Sequence, residues 1–155
     1  MSCMLLRFNF IFLKMDLIEV NNVTATKELD KVFKIRTIVF VEEQNCPPEL
    51  EWENEDVSHH FLATFEGEPA GACRWRQTEK GYKLERFAVL PEFRGRGIAQ
   101  KMVQTVISDL PKEANYVYLH AQLDAMPLYK KFNFMAEGDQ FEEAGIQHFK
   151  MVLKK

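Results

Sequence analysis

Little in this chain of 155 residues calls for a specialised environment. Cysteine is scarce: Cys3, Cys46 and Cys73 lie far apart and form no C-x-x-C pair. That excludes a disulfide framework and suits free thiols in a reducing compartment, the cytoplasm. Seven glycines and six prolines leave no low-complexity linker, and no internal repeat occurs. Positive charge is not in surplus. The formal net charge is −3, which gives no basic face for nucleic acid. No apolar run approaches the roughly 20 residues of a membrane-spanning helix. The apolar stretch Met1 to Lys14 is too short to span and lacks a small-residue cleavage site. It reads as a leader or a misassigned start, with translation beginning at Met15, rather than as a membrane-surface anchor.

What is present suits one core. Thirteen phenylalanines and an apolar share of 46% fit a single domain over residues 15–155. A strand is expected near 17–20. Thr24 or Thr26 caps a helix that runs to about Gln44, with Val32, Ile35, Val39 and Phe40 at helical spacing. Pro47-Pro48 forbids its continuation. Strands follow at Phe61–Glu66, Ala70–Gln77 and Tyr82–Val89, separated by glycine turns, which predicts an antiparallel meander. Ile98, Met102, Val103, Val106 and Leu110 mark a helix ended by Pro111. A strand at Tyr116–Ala121, a short helix at Ala125–Phe132 and strands at Met135–Gly138 and Gln147–Leu153 close the chain. An antiparallel front half with a strand–helix–strand unit behind it is an α+β fold.

The stretch from Leu84 to Lys101, LERFAVLPEFRGRGIAQK, carries the chemistry. A strand runs through Pro91 into the glycine-rich turn Arg94-Gly95-Arg96-Gly97 and then a helix. Glycines let backbone approach a ligand closely. The helix start adds unpaired N–H groups and a partial positive charge, which together suit a pyrophosphate. No Lys-Ser/Thr follows, so this is not a Walker loop, and no G-x-G-x-x-G occurs.

At these residues the chain resembles the GNAT superfamily of acetyltransferases. Arg94, Gly97 and Ala99 match its Arg/Gln-x-x-Gly-x-Gly/Ala pattern. Downstream, Gln122 to Phe134, QLDAMPLYKKFNF, is similar to Asn-x-x-Ala-x-x-Leu-Tyr-x-x-x-Gly-Phe. Gln122 stands at the Asn position. Asn133 stands at the Gly position, where Asn best replaces Gly in a left-handed conformation. Arg36 to Gln44, RTIVFVEEQ, and Glu143 to Met151, EAGIQHFKM, resemble the ElaA/YjcF-like branch.

The resemblance implies a mixed, mostly antiparallel sheet of six to seven strands with about four helices, splayed between the fourth and fifth strands. It implies acetyl transfer from acetyl-CoA to a primary amine of a small molecule or peptide. The rival is a non-catalytic acetyl-CoA-binding module. Backbone of Phe87, Ala88 and Val89 would hold the pantetheine arm, and the backbone of Arg94, Gly95, Arg96, Gly97, Ile98 and Ala99 the pyrophosphate, with Gln122 a further contact. Homodimers are common in the superfamily. Tyr129 takes the place of the proton donor to the leaving thiolate. Two residues compete for the base. Glu85 shares strand parity with Phe87 and Val89, which turns all three one way, unless it is an edge charge paired with Arg86. His148 titrates in the right range, with Glu143 as support. The adjacent His59 and His60 point to opposite strand faces and His120 stands apart, so no metal is expected. The run Glu49, Glu51, Glu53, Glu55 and Asp56 is either a lure for a cationic amine or a solvated loop.

Overall fold

A computed structural model of the chain describes residues 17–155; the leader or misassigned start at 1–14 lies outside the described residues. Strands β1 (Ile18–Val23), β2 (Ser58–Phe65), β3 (Glu68–Gln77) and β4 (Tyr82–Val89) form the expected antiparallel meander. Strand β5 (Val117–Gln122) runs parallel to β4. The short β6 (Phe134–Ala136) and β7 (Phe141–Glu143) both pair with β8 (Ile146–Leu153), which lies antiparallel to β5. The sheet therefore has eight strands in the order β1-β2-β3-β4-β5-β8-β6, with β7 also on β8. Strand β7 escaped the sequence reading because three residues show no usable alternation.

Among the described residues four α-helices flank the sheet: α1 (Thr26–Arg36), α2 (Pro48–Glu51), α3 (Ile98–Asp109) and α4 (Met126–Lys130). Neither threonine caps α1. Its N-cap is Ala25, with no side-chain cap bond, and Thr26 is the first helical residue. The helix does reach Glu43, but residues Thr37–Glu43 are wound as a π-helix. The Thr37 hydroxyl donates to the Phe33 carbonyl at 2.9 Å, a back-bond that accompanies the change of winding. Pro48 begins α2 at its first turn, where a missing N–H costs nothing.

Each sheet face has its own core. Helix α3 packs Met102, Val103 and Val106 against Leu84, Leu119 and Met151. Helix α1 and the π-helix after it pack Val32, Ile35 and Val39 against Leu62, Ala72 and Ala88 on the other face.

The feature that makes a site is the parting of β4 from β5. Their ladder comprises only Tyr82–Val117, Lys83–Tyr118 and Leu84–Leu119. It is pinned at its start, where Tyr82 N–H donates to Tyr116 C=O at 2.8 Å. Gly81 lies so close that a Cβ there would run into the Tyr116 carbonyl. Beyond Leu84 the strands separate. Arg86 takes φ +61° and the register against β3 shifts between Ala72 and Arg74, a bulge that bends β4.

A buried ionic cluster holds the α1 face around this bend. Arg36, 1% exposed, reaches Glu51 at 2.6 Å and Glu55 at 2.6 Å. Glu55 also takes Arg74, and Glu51 takes Arg86. Arg36→Met would leave the Glu51 carboxylate, which is 1% exposed, with Arg86 alone within ion-pair distance. Breaking such a pair by removing one partner costs about 3–5 kcal/mol. Urea unfolding is expected to show a loss of that order; a loss under about 1 kcal/mol would mean that the pair behaves as a solvated one.

Candidate active site

Between the parted halves of β4 and β5 lies a cleft of about 240 Å³. Strands β4 and β5, helix α4, the β7–β8 hairpin, α2 and the end of the π-helix all contribute to its lining. The ladder from β4 to β5 ends at Leu84, so residues 85–89 have no strand partner on that side.

The glycine turn sits at the end of β4. Gly95 and Gly97 have φ +77° and +84°, conformations open to glycine. Gly97 is the N-cap of α3, with no side-chain cap bond. A Cβ on Gly95 would meet nothing within 4 Å, and one on Gly97 only the Gln100 amide oxygen at 4.0 Å. The turn thus presents uncapped helix N–H groups beside open space, which fits a phosphate group. The Ile98 side chain is buried at 2% exposure, which leaves only its backbone for a ligand.

The expected cofactor residues already have partners. The Arg94 guanidinium forks onto Glu43 at 2.9 and 2.8 Å, and its Nε donates to the Val89 carbonyl at 3.0 Å. The Gln122 amide donates to Gln44 Oε1 at 2.9 Å. Consecutive residues at the end of the π-helix therefore bridge the end of β5 and the turn after β4. Arg96 lies over the Phe65 ring at 4.8 Å. Asn133 takes φ +67°, the left-handed turn expected of it.

Tyr129, on α4, lines the cleft at 6% exposure, with its ring edge-on to Phe87 at 5.8 Å. Burial, then the neighbouring Cys73, pushes its phenol above the ordinary value and keeps it protonated at neutral pH.

Glu85 does not share a face with Phe87 and Val89. The bulge at Arg86 inverts the alternation. Leu84, Phe87 and Val89 belong to the α3-side core, whereas Glu85 meets Arg74 on the α1 side. Its partners are Arg74 at 2.8 Å, Arg76 at 2.7 Å and Lys83 at 3.3 Å, not Arg86. Arg86 turns instead to Glu51 and the Leu50 carbonyl. Burial alone would raise the Glu85 carboxyl, but Arg74, Lys83 and Arg76 overcome it and hold the group at about 2.

His148 is 8% exposed and lines the cleft. Its Nδ1 lies 2.7 Å from the Ile146 carbonyl, which can only accept. Nδ1 is then the protonated nitrogen and Nε2 carries the lone pair. Glu143 sits nearer a different partner, His120, with Oε2 3.4 Å from Nδ1. His120 first, against burial and with help from Lys83, holds Glu143 well below the usual carboxylate range. Phe141 stands between the two imidazoles, 4.9 Å from His120 and 5.7 Å from His148. His59 stacks on Trp75 at 3.9 Å, while His60 is buried beside Glu55. Sequence reasoning missed Arg36, Arg74, Arg76 and Lys83. Arg74 and Arg76 do alternate on one strand, but only the register shows that both meet Glu85.

A family model described as an acetyltransferase (GNAT) domain matches residues 30–155. YjcF, an uncharacterised N-acetyltransferase of Bacillus subtilis, is 34% identical over 131 residues, which is 81% of this chain and 92% of that protein. The crystal structure of Escherichia coli ElaA matches with TM-score 0.75 at 25% identity, over 88% of this chain and 99% of that one. A GNAT family acetyltransferase from Elizabethkingia anophelis, solved with acetyl-CoA bound, matches in fold with TM-score 0.71 at 15% identity, over 90% of this chain and 99% of that one.

Two outcomes are expected here. Glu85 is depressed on folding, so its contribution to stability is present above its unfolded value near 4.5 and lost as pH falls towards 2. The stability difference between the wild type and Glu85→Gln should therefore shrink across that window in urea titrations; a difference independent of pH would show that the carboxylate is not held by charge. Gly97→Asp has room for its Cβ but strains the positive φ, at about 1–2 kcal/mol. It should keep its circular dichroism spectrum and bind coenzyme A at least about tenfold more weakly, a loss of about 1.4 kcal/mol. Unchanged calorimetric affinity would remove the phosphate from this turn.

Proposed function

The chain belongs to the GNAT acetyltransferase family, in the branch of YjcF and ElaA, and is an acyltransferase; on that premise we propose that it moves an acetyl group from acetyl-CoA to a primary amine by direct attack. The observation that carries this reading is the parted β4–β5 pair, with the uncapped glycine turn at its end and Tyr129 and His148 lining one cleft.

The turn from Arg94 to Ala99 would hold the pyrophosphate through its N–H groups. The unpaired edge of β4 would take the pantetheine arm as an added strand. Arg94 occupies the Val89 carbonyl and would have to leave it for that acceptor to be used. Glu43 and Arg94 are both substantially exposed, and such a pair contributes only about 0–1 kcal/mol, so its release is cheap.

The step needs a neutral amine, a polarised thioester carbonyl and a proton for sulfur. A C–N bond forms and the C–S bond breaks. An unpaired N–H of β4 would polarise the carbonyl. His148 Nε2 suits the proton lost by the amine, because its tautomer leaves that lone pair free. Glu85, held at about 2 by its cations, is the weaker base. The Tyr129 hydroxyl would donate to the departing thiolate; a phenol held above its ordinary value stays protonated until that anion develops. Transfer inside the cytoplasm fits the free thiols, and among the described residues no helix is long and apolar enough to cross a membrane.

Thiol release from acetyl-CoA with a panel of amines tests the activity. Tyr129→Phe keeps the ring and should lower turnover by roughly 10²–10⁴ while leaving acetyl-CoA affinity within about twofold. His148→Gln should also lower turnover while leaving acetyl-CoA affinity little changed. If turnover of Tyr129→Phe drops less than about threefold, solvent protonates the thiolate. A protein that binds acetyl-CoA but transfers to no amine would favour the binding-module reading.

A further inference from the structure

A primary amine reaches an acyltransferase with more protons than the reaction can use. At neutral pH an alkylamine is an ammonium, with a reference value of about 10.4 for the amine of lysine. Of its three N–H protons one stays on the amide nitrogen of the product. Two must leave: one before attack, to free the lone pair, and one after the nitrogen has bonded to the acyl carbon. His148 Nε2 is open to one of them. The other needs a second acceptor that faces the same space.

His120 on β5 lines the cleft together with His148 and Tyr129. The β5–β8 register sets Gln122 opposite His148, with His120 two residues earlier, so the two imidazoles share one face of the sheet. His120 Nδ1 is buried and makes no well-formed hydrogen bond, but Glu143 Oε2 lies within ion-pair reach at 3.4 Å. A lone pair turned towards a carboxylate would be repelled. Nδ1 therefore carries the proton and Nε2 the lone pair. Among the described residues no protein group bonds that Nε2, and the atom is not enclosed.

The two imidazoles differ in what stands behind them. His148 Nδ1 donates to a neutral carbonyl, whereas His120 Nδ1 faces a carboxylate that stays ionised. A proton that lands on His120 meets a counter-charge and can be held while the acyl group moves. One that lands on His148 has no such partner, which suits a brief stay. The ammonium groups near His120 are already engaged. Lys83 of β4 reaches Glu85 at 3.3 Å, and Lys150, opposite His120 on β8, reaches Glu137 at 3.1 Å.

We infer that His120, backed by Glu143, is a second catalytic base, which takes the first proton from the incoming ammonium, while His148 takes the second as the amine attacks. The inference rests on the acyl-transfer reading above. The protons balance. The first passes from His120 to solvent and is the one released per turnover. The second passes by way of His148 to replace the proton that Tyr129 gives to sulfur. The third remains on the amide, as the C–N bond forms and the C–S bond breaks.

The test uses the full chain, with acetyl-CoA affinity measured first by calorimetry. Thiol release is then followed with one accepted alkylamine and with its analogue carrying fluorine beside the amino group, which leaves the amine largely neutral at the assay pH. His120→Gln should lower kcat/KM at least about tenfold for the basic amine and less than about threefold for the fluorinated one. His148→Gln should lose the same factor with both, because its proton leaves after attack. Glu143→Gln should repeat the His120→Gln pattern with a smaller loss. The Glu143 side chain is 47% exposed, so this variant keeps the test if His120→Gln does not fold. A role for His120 in packing alone would cost both amines equally. Equal losses with the two amines, or no loss with either, overturn the inference and leave acyl transfer standing. Failure to bind acetyl-CoA, or transfer to no amine, overturns that reading and the inference with it.

Discussion

Arg36 leaves the end of α1 and is buried to 1% exposure beneath a loop rich in glutamates, and the form of the cleft follows from what that burial demands. A guanidinium out of water needs carboxylates with good geometry or the fold does not hold it. Glu51 and Glu55 meet the need, which draws residues 51–55 onto the sheet and lays α2 along one side of the gap. The same two carboxylates then reach Arg86 and Arg74. Helix α1, the acidic loop and strands β3 and β4 are thereby tied at one place, on the face opposite α3.

The bend in β4 is the second constraint. A residue at positive φ in a strand is costly unless its surroundings fix it. At Arg86 they do, because its side chain is held by Glu51 and the Leu50 carbonyl. The bulge turns Phe87 towards Tyr129 and sends Glu85 to the arginines. One backbone irregularity so divides the labour of the strand: Phe87 and Val89 face the core beneath the cleft, and the glutamate becomes part of a structural charge cluster. Tyr129 and His148 line the cleft from α4 and β8 across the gap.

Much of this was legible in the chain. The meander, the long helix after the glycine turn and the left-handed Asn133 follow from periodicity and turn chemistry, both of which are local. The turn at Gly95 and Gly97 declared itself because only glycine is at ease there. What failed was parity. Glu85, Phe87 and Val89 alternate faithfully on paper, and nothing in LERFAV marks the extra residue of a bulge. The charges failed for a related reason. Glu51 and Glu55 look like solvated residues until Arg36, 15 and 19 positions earlier, is known to lie beneath them. Glu143 looked like a partner for His148 because the two are close in sequence, whereas the fold brings the His120 side chain to it. Local rules see neighbours along the chain; these contacts are set by the pairing of strands.

The narrow join between β4 and β5 also orders the assembly of the molecule. Strands β1 to β4 pair with their sequence neighbours, β2 to β4 through tight turns, and closing short loops costs little entropy. Strand β5 must instead find β4 in parallel across the whole of α3, and only three residue pairs reward it. On a ribosome the meander and the glycine turn emerge first. Tyr129 and His148 are made after the glycine turn, so a nascent chain presents that turn before it owns either side chain of the opposite wall of the cleft. The cleft closes on its far side only once β8 has been laid beside β5.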